Sequence, residues 1–164
     1  MKSIVRILSF WLFGLLTVSA WAMSPRPQET VPLWEALGPP APPEPATLAS
    51  EPWIILEQPI LFRPAVLSQL RGDSSRPTTD VFAIKLPNNP EVEMKVTTRR
   101  PGPRGAVVVE GQLTGPRQGN LLLSIVEDAV AGTLRLGTES WSIEPRPDHR
   151  HRLVEINAEK FAPD

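Results

Sequence analysis

The sequence contains no cysteine, and this absence excludes several kinds of stabilisation and chemistry. Without cysteine there are no disulfide bonds, so the fold must be stabilised by burial of apolar side chains and by backbone pairing. Thiolate nucleophiles and thiolate metal ligands are excluded for the same reason.

The apolar run near the N-terminus is too short to cross a membrane. It covers residues 7–20, about 14 residues, whereas a helix needs ~18–20 to span the hydrocarbon core. Two basic residues lie before or at its start, and Ala20-Trp21-Ala22 has the small-x-small pattern that signal peptidase accepts. We therefore predict a signal peptide over residues 1–22, export to the periplasm or the cell exterior, and no membrane span after cleavage. An uncleaved membrane anchor is the alternative.

The mature chain also lacks the net positive charge of a nucleic-acid-binding protein. Residues 1–22 hold two of the 17 basic residues and none of the 18 acidic ones, which leaves 15 basic and 18 acidic residues, a net charge of −3. A charge of this sign excludes nucleic acid as a partner.

Proline is abundant in the first part of the mature chain. Residues 23–64 hold 11 of the 20 prolines, and the density is highest over residues 39–45. Proline fixes φ and has no backbone N–H, so such a segment favours extended conformations and cannot join the interior of a sheet. We predict a disordered proline-rich linker over residues 23–50 and a β-domain over residues 51–164. A docking motif for a proline-recognising partner is the alternative for the linker.

The β-domain is predicted from alternation of apolar and polar residues that begins near residue 81. Short alternating segments recur at a spacing of roughly ten residues and are separated by glycine- and proline-containing turns. This pattern indicates an all-β fold, an antiparallel sandwich or partial barrel of about six to eight short strands. Pro64 at the start of an apolar segment and Gly72 at its end predict one short helix.

The chain has two histidines, His149 and His151, which stand two residues apart. In a strand they would point to the same side and be able to share a metal ion. A zinc site needs at least one more protein ligand, and a solvated pair is the alternative. The sequence therefore predicts no metal and no other cofactor, with these two histidines as the only metal-ligand candidates.

No catalytic constellation is visible in the sequence. Ser124 and Ser142 lack the Gly-x-Ser-x-Gly elbow of a nucleophilic serine. Glu139 and Glu144 flank Trp141, but acidic residues near turns are ordinarily solvated. We therefore predict that the chain is not an enzyme.

Five segments, taken in order, resemble the propeptide domain of reprolysin-type (adamalysin-like) secreted zinc metalloproteases. They are GQLTG at 111–115, NLLLSIVED at 120–128, VAGTLR at 130–135, WSIEP at 141–145 and HRLVEI at 151–156. The resemblance covers about residues 78–163, and the order and spacing of the segments carry it.

The resemblance implies a propeptide-like domain that binds a secreted metalloprotease and inhibits it or assists its folding. The catalytic motif H-E-x-x-H is missing, and no cysteine is present to bind the protease's zinc. Inhibition of the protease would therefore come from steric occlusion of its active site, or from a carboxylate or histidine that reaches its catalytic zinc. The partner-binding candidates are a basic loop, one aromatic residue and the C-terminal tail: Arg99, Arg100, Arg104, Trp141, Asn157, Phe161 and Asp164.

Two further interpretations of the sequence remain open. One is an envelope-associated β-sandwich module with a binding or structural role, tethered by the proline-rich segment. The other is a truncated remnant of a protease precursor.

Overall fold

The described part of the chain is a mostly β domain. A computed structural model describes residues 30–45, 47, 51–73 and 80–160. The predicted signal peptide, the remainder of the predicted linker, and Phe161 and Asp164 of the tail lie outside these ranges.

Within the described ranges, ten strands form one sheet. They are β1 (Val31–Pro32), β2 (Glu35–Ala36), β3 (Ile54–Leu61), β4 (Val81–Ile84), β5 (Val92–Pro101), β6 (Val107–Thr114), β7 (Gly119–Val126), β8 (Ala129–Leu136), β9 (Glu139–Pro145) and β10 (His151–Ile156). A helix, α1 (Pro64–Arg71), connects β3 to β4. The predicted all-β class, partial barrel and short helix are confirmed, and the two strands beyond the predicted six to eight are the two-residue β1 and β2.

The sheet is a nearly closed barrel built around an antiparallel meander. β4 to β10 follow one another in sequence and in space, and β3 pairs with β10 on the far side. β2 extends the sheet beyond β3, while β1 pairs in parallel with β4 at the opposite edge. Only Leu33 and Trp34 separate β1 from β2. The six residues 31–36, which we call the strap, therefore bridge the gap between β3 and β4.

The strap is held by backbone hydrogen bonds and by buried side chains. The N–H of Leu33 donates to the carbonyl oxygen of Ala83 at 2.8 Å, and that of Leu37 to Pro59 at 2.9 Å. Leu33 is fully buried and Trp34 is 7% exposed. The Trp34 ring packs edge-on against Phe62, with the ring centroids 5.9 Å apart.

This packing corrects the predicted linker, because its described residues 30–45 are part of the β-domain. Pro32 is tolerated because β1 is an edge strand, where a missing backbone donor on the outer side leaves no broken ladder, and the other prolines of the segment lie outside β1 and β2. Leu33 and Trp34 supply the apolar surface that fixes the segment to the core.

The helix α1 covers one end of the barrel, which we call the closed end. Pro64 occupies its first turn, and Gly72 ends it in the left-handed conformation at φ 79°, where a side chain would be strained. Its apolar face is buried in the barrel core through Val66, Leu67 and Leu70. The opposite end, where β4, β6, β8 and β10 finish, is the open end.

Gly111 lies in β6 opposite an irregularity of the neighbouring strand. The register of β5 shifts between Val96 and Thr98, and Val96 pairs with Gly111. A Cβ atom at position 111 would collide with the side chain of Met94. The glycine is therefore required by close packing, while the bulge itself belongs to β5.

Leu33→Ala tests the strap as part of the core. We expect the free energy of unfolding to fall by about 2–5 kcal/mol, as for other fully buried leucines truncated to alanine. Leu37→Ala is the matched control, because Leu37 lies next to the strap and is 45% exposed; its effect should stay within about 0.5 kcal/mol. Urea unfolding followed by tryptophan fluorescence measures both, and equal effects would contradict the placement of Leu33.

Candidate functional site

A cavity of about 470 Å³ lies at the open end of the barrel. The strap forms one wall and the β4–β5 turn forms the other. Much of the lining is apolar and includes Pro32, Trp34, Pro40, Leu86 and Pro87. Such a lining is suited to holding apolar groups rather than to polar chemistry.

A polar network borders this open-end cavity and ties three turns together. Arg117 of the β6–β7 turn pairs with Glu139 at the start of β9, at 2.6 Å from Nη1 to Oε1. Asn89 of the β4–β5 turn donates from Nδ2 to Oε2 of Glu139 at 3.0 Å and accepts a hydrogen bond from Arg117. Burial raises the pKa of Glu139, but its hydrogen bonds to Arg117 and Asn89 lower the pKa by more, so the carboxylate stays ionised.

Glu155, near the end of β10, has its pKa displaced in the opposite direction. Burial raises this pKa, and the negative charge of Glu139 raises it further. Two carboxyl groups with pKa values displaced in opposite directions are found in acid–base pairs. Here Glu139 is held by Arg117 and Asn89. The described geometry therefore supports a rigid border of the open-end cavity rather than proton transfer between Glu139 and Glu155.

Glu155→Gln should stabilise the protein at neutral pH. Because the folded-state pKa of Glu155 lies above its ordinary value of 4.5, the ionised carboxylate costs stability at higher pH, and glutamine removes that cost. The gain should disappear below about pH 4, where the carboxyl is protonated in both states. Thermal unfolding at pH 7 and pH 3.5 measures it, with the exposed Glu159→Gln as control. A loss of stability at pH 7 would contradict the assignment.

The two histidines lie in different environments and do not form a shared metal site. His149 lies in the β9–β10 turn with φ 57°, is 78% exposed and faces Asp128 at 3.6 Å. His151 begins β10 and is 2% exposed, with Nε2 accepting a hydrogen bond from the backbone N–H of Val130 at 3.0 Å. The same-side prediction required both histidines to lie in one strand, whereas His149 precedes β10 and has a left-handed backbone.

The predicted basic loop is mostly strand. β5 continues through Arg99 and Arg100 to Pro101, and a single 3-10 turn over residues 103–105 joins it to β6. Arg99 donates to the carbonyl oxygen of Leu70 at 2.9 Å and pairs with Asp80, so it caps the C-terminus of α1. Arg99 therefore has a structural role at the end of α1, and its partner-binding role stays a prediction.

The other two arginines of this segment are exposed. Arg100 pairs across the hairpin with Glu110 at 3.2 Å. Arg104 lies in the 3-10 turn with φ 57°. Both are accessible to a partner, but the hairpin that carries them is hydrogen-bonded rather than a loose loop.

Two other candidates are engaged inside the domain. Trp141 is 1% exposed and packs in the core, so it cannot contact a partner without unfolding. Asn157 follows β10, and its N–H donates to the carbonyl oxygen of Trp53 at 2.8 Å. Its side-chain oxygen accepts from the N–H of Glu159 at 3.0 Å. The tail thus begins with a fixed turn, and Phe161 and Asp164 lie beyond the described residues.

A buried arginine with three carboxylates is a feature that the sequence did not indicate. Arg152 on the outer side of β10 is 8% exposed. It pairs with Glu144 at 2.6 Å, Glu57 at 3.0 Å and Glu51 at 3.2 Å. Burial lowers the pKa of the guanidinium, but Glu144 and the other two carboxylates raise it by more, so it stays charged. Glu51 and Glu57 lie about a hundred residues away in sequence, so no local pattern reveals the cluster.

Arg152→Ala should strongly destabilise the domain, because it leaves three carboxylates without their common counter-charge. Breaking a buried ion pair costs about 3–5 kcal/mol, and we expect about 2–3 kcal/mol because the carboxylates are partly exposed. Arg150→Ala, at an exposed arginine two residues away, should change the free energy of unfolding by less than about 0.5 kcal/mol. Urea unfolding at pH 7 compares them, and equal effects would contradict the cluster's role.

The outer face of β7, β8 and β9 carries a shallow groove of about 400 Å³. Small side chains line its floor, among them Ser124, Ala131 and Ser142. Leu122 on its border and Val126 on the same face of β7 are 40% and 41% exposed. We call this surface the outer groove.

The described ranges contain no group of three or more histidine, aspartate or glutamate side chains placed to hold a metal ion. No helix in these ranges has the length and apolarity needed to span a bilayer. In comparisons with protein-family models, characterised proteins and solved structures, none matches this chain. The resemblance to a metalloprotease propeptide therefore stays a prediction from the sequence.

Proposed function

We propose that this chain is an exported, non-catalytic domain that binds a secreted zinc metalloprotease and inhibits it or assists its folding. The observation that carries the proposal is the outer groove. Exposed aliphatic side chains beside a floor of small residues are typical of surfaces that bind other proteins, because the small residues let a partner approach the sheet closely.

The position of the groove in the fold also supports this function. Four of the five segments that resemble the propeptide cover β7 to β10, and the fifth lies in β6. Three of these strands, β7, β8 and β9, build the outer groove. Three of the five segments thus contribute residues to the outer groove, which supports the proposal.

The β9 side of the outer groove carries a charged residue. Glu144 lies at the β9 side of the groove and is paired with Arg152, which fixes its carboxylate. On the opposite side, Leu122 and Val126 have no charged neighbour on β7 itself, while Glu110 of β6, which pairs with Arg100, lies opposite Leu122. We expect a partner that places apolar side chains on β7 and a polar or basic group near Glu144.

An inhibition assay with matched surface variants tests this proposal. Residues 23–164 are added to the catalytic domain of a reprolysin-type metalloprotease, and peptide hydrolysis is measured against inhibitor concentration. We expect inhibition by the natural sequence and at least about ten-fold weaker inhibition by Leu122→Asp/Val126→Asp, because a charge buried in an apolar contact costs more than 1.4 kcal/mol. Ile55→Asp is the control, at an exposed position of β3 that is 48% accessible.

Two outcomes would count against the proposal in different ways. If the natural sequence neither inhibits the protease nor increases its refolding yield, the function is wrong. If the double variant inhibits as well as the control, the function stands but the outer groove is not the contact surface. In that case a chain ending at residue 160 tests the tail as the occluding segment.

The open-end cavity favours a second candidate function, a binding module of the cell envelope. Its walls of proline and tryptophan suit an apolar or proline-containing ligand. Under this alternative, Ala36→Asp, at an exposed residue of the lining, would abolish binding to envelope material, while the outer-groove variants would retain it.

A further inference from the structure

At the closed end, His151 supplies a hydrogen-bond acceptor that the backbone of the sheet lacks. The β8–β9 ladder ends at the pair Gly132 and Ile143, so the backbone of Val130 lies beyond it. The N–H of Val130 donates instead to Nε2 of His151, which comes from β10, two strands away. The imidazole thus replaces a missing backbone acceptor between β8 and β10.

This hydrogen bond determines the protonation state of His151. Because Nε2 accepts, the neutral ring carries its proton on Nδ1. Nδ1 is buried and has no hydrogen-bond partner among the described residues. The ring packs edge-on against Phe62, with the centroids 4.9 Å apart. A second proton on Nε2 would face the N–H of Val130, so protonation removes this hydrogen bond.

The turn next to His151 is strained. Asp148 and His149 have φ values of 64° and 57°, a left-handed conformation that residues with side chains adopt at a cost. A single hydrogen bond from the N–H of Arg146 to the carbonyl oxygen of Arg150, at 2.8 Å, spans this turn. Such a turn is poised to relax when a neighbouring contact is lost.

We propose that His151 is an acid-sensitive latch: protonation of its imidazole releases the backbone of Val130 and opens the β9–β10 turn at the closed end. The inference concerns the domain itself and does not depend on the proposed protease partner.

The charged groups around the latch do not favour a protonated ring. A cavity of about 230 Å³ adjoins His151. The charged and titratable groups that line it are Asp128 of the β7–β8 turn and Arg146, Asp148, His149 and Arg150 of the β9–β10 turn. The two carboxylates and two guanidiniums balance in formal charge, and Asp128 faces His149. Phe62, which packs on the ring from the end of β3, is uncharged.

The direction of the pH effect follows from the burial of the ring. Burial lowers the pKa of His151 below its ordinary value of 6.5, and the charge of His149 lowers it further. The unfolded chain therefore binds the proton more readily than the folded domain. The stabilisation is complete above about pH 6.5 and is lost as the pH falls. In this window the unfolding equilibrium constant should rise by up to about ten-fold per pH unit.

Substitution of each histidine by glutamine tests the latch. In His151→Gln the amide oxygen can accept from Val130 without titrating. We expect the natural sequence and His149→Gln to lose urea resistance between pH 7.5 and pH 5.5, and His151→Gln to lose much less. Amide exchange of Val130, corrected for the intrinsic rate, should accelerate in acid in the first two proteins. The same pH dependence in all three would overturn the proposal.

A second measurement covers the case in which His151→Gln does not fold. The ring protons of both histidines are titrated by NMR in the natural sequence. We expect His151 to titrate below its ordinary value of 6.5, with the Val130 amide resonance moving in the same transition. A His151 titration at or above the ordinary value, or a Val130 amide that does not respond, would overturn the proposal.

Discussion

The strap, residues 31–36, holds the two sides of the sheet together, and the other features of the fold depend on it. Without the strap, the remaining eight-stranded sheet would expose unpaired backbone groups along its edge strands β3 and β4. Residues 31–36 pair with both strands and bury Leu33 and Trp34 between them. The same segment forms a wall of the open-end cavity. Closure and the shape of this cavity are therefore consequences of one short stretch of chain.

The two ends of the barrel are stabilised in different ways. At the closed end, α1 fills the barrel with apolar side chains, Arg99 caps the helix, and His151 supplies an acceptor that the sheet lacks. At the open end, Arg117, Asn89 and Glu139 connect three turns by polar contacts. On the outside, Arg152 connects β3, β9 and β10. The face of β7 to β9 carries the exposed side chains of Leu122 and Val126, which is why we propose the partner surface there.

The meander and the helix were predictable from the sequence, because the patterns that indicate them lie within short stretches of the chain. Alternation of apolar and polar residues gives the meander from β4 to β10, and Pro64 with Gly72 gives the helix. The strap was not predictable, since its prolines dominate the composition and hide the two apolar residues that anchor it. The Arg152 cluster was hidden for another reason: its carboxylates come from distant parts of the chain, and only the folded sheet brings them together.

We propose that the exposed face of β7 to β9 binds a secreted zinc metalloprotease. Methyl NMR of residues 23–164, titrated with the catalytic domain of a reprolysin-type metalloprotease, tests it most directly. We expect the methyl resonances of Leu122 and Val126 to shift and saturate together, while those of buried Leu33 remain in place. Unchanged resonances throughout the titration, or shifts confined to the open end, would contradict the account.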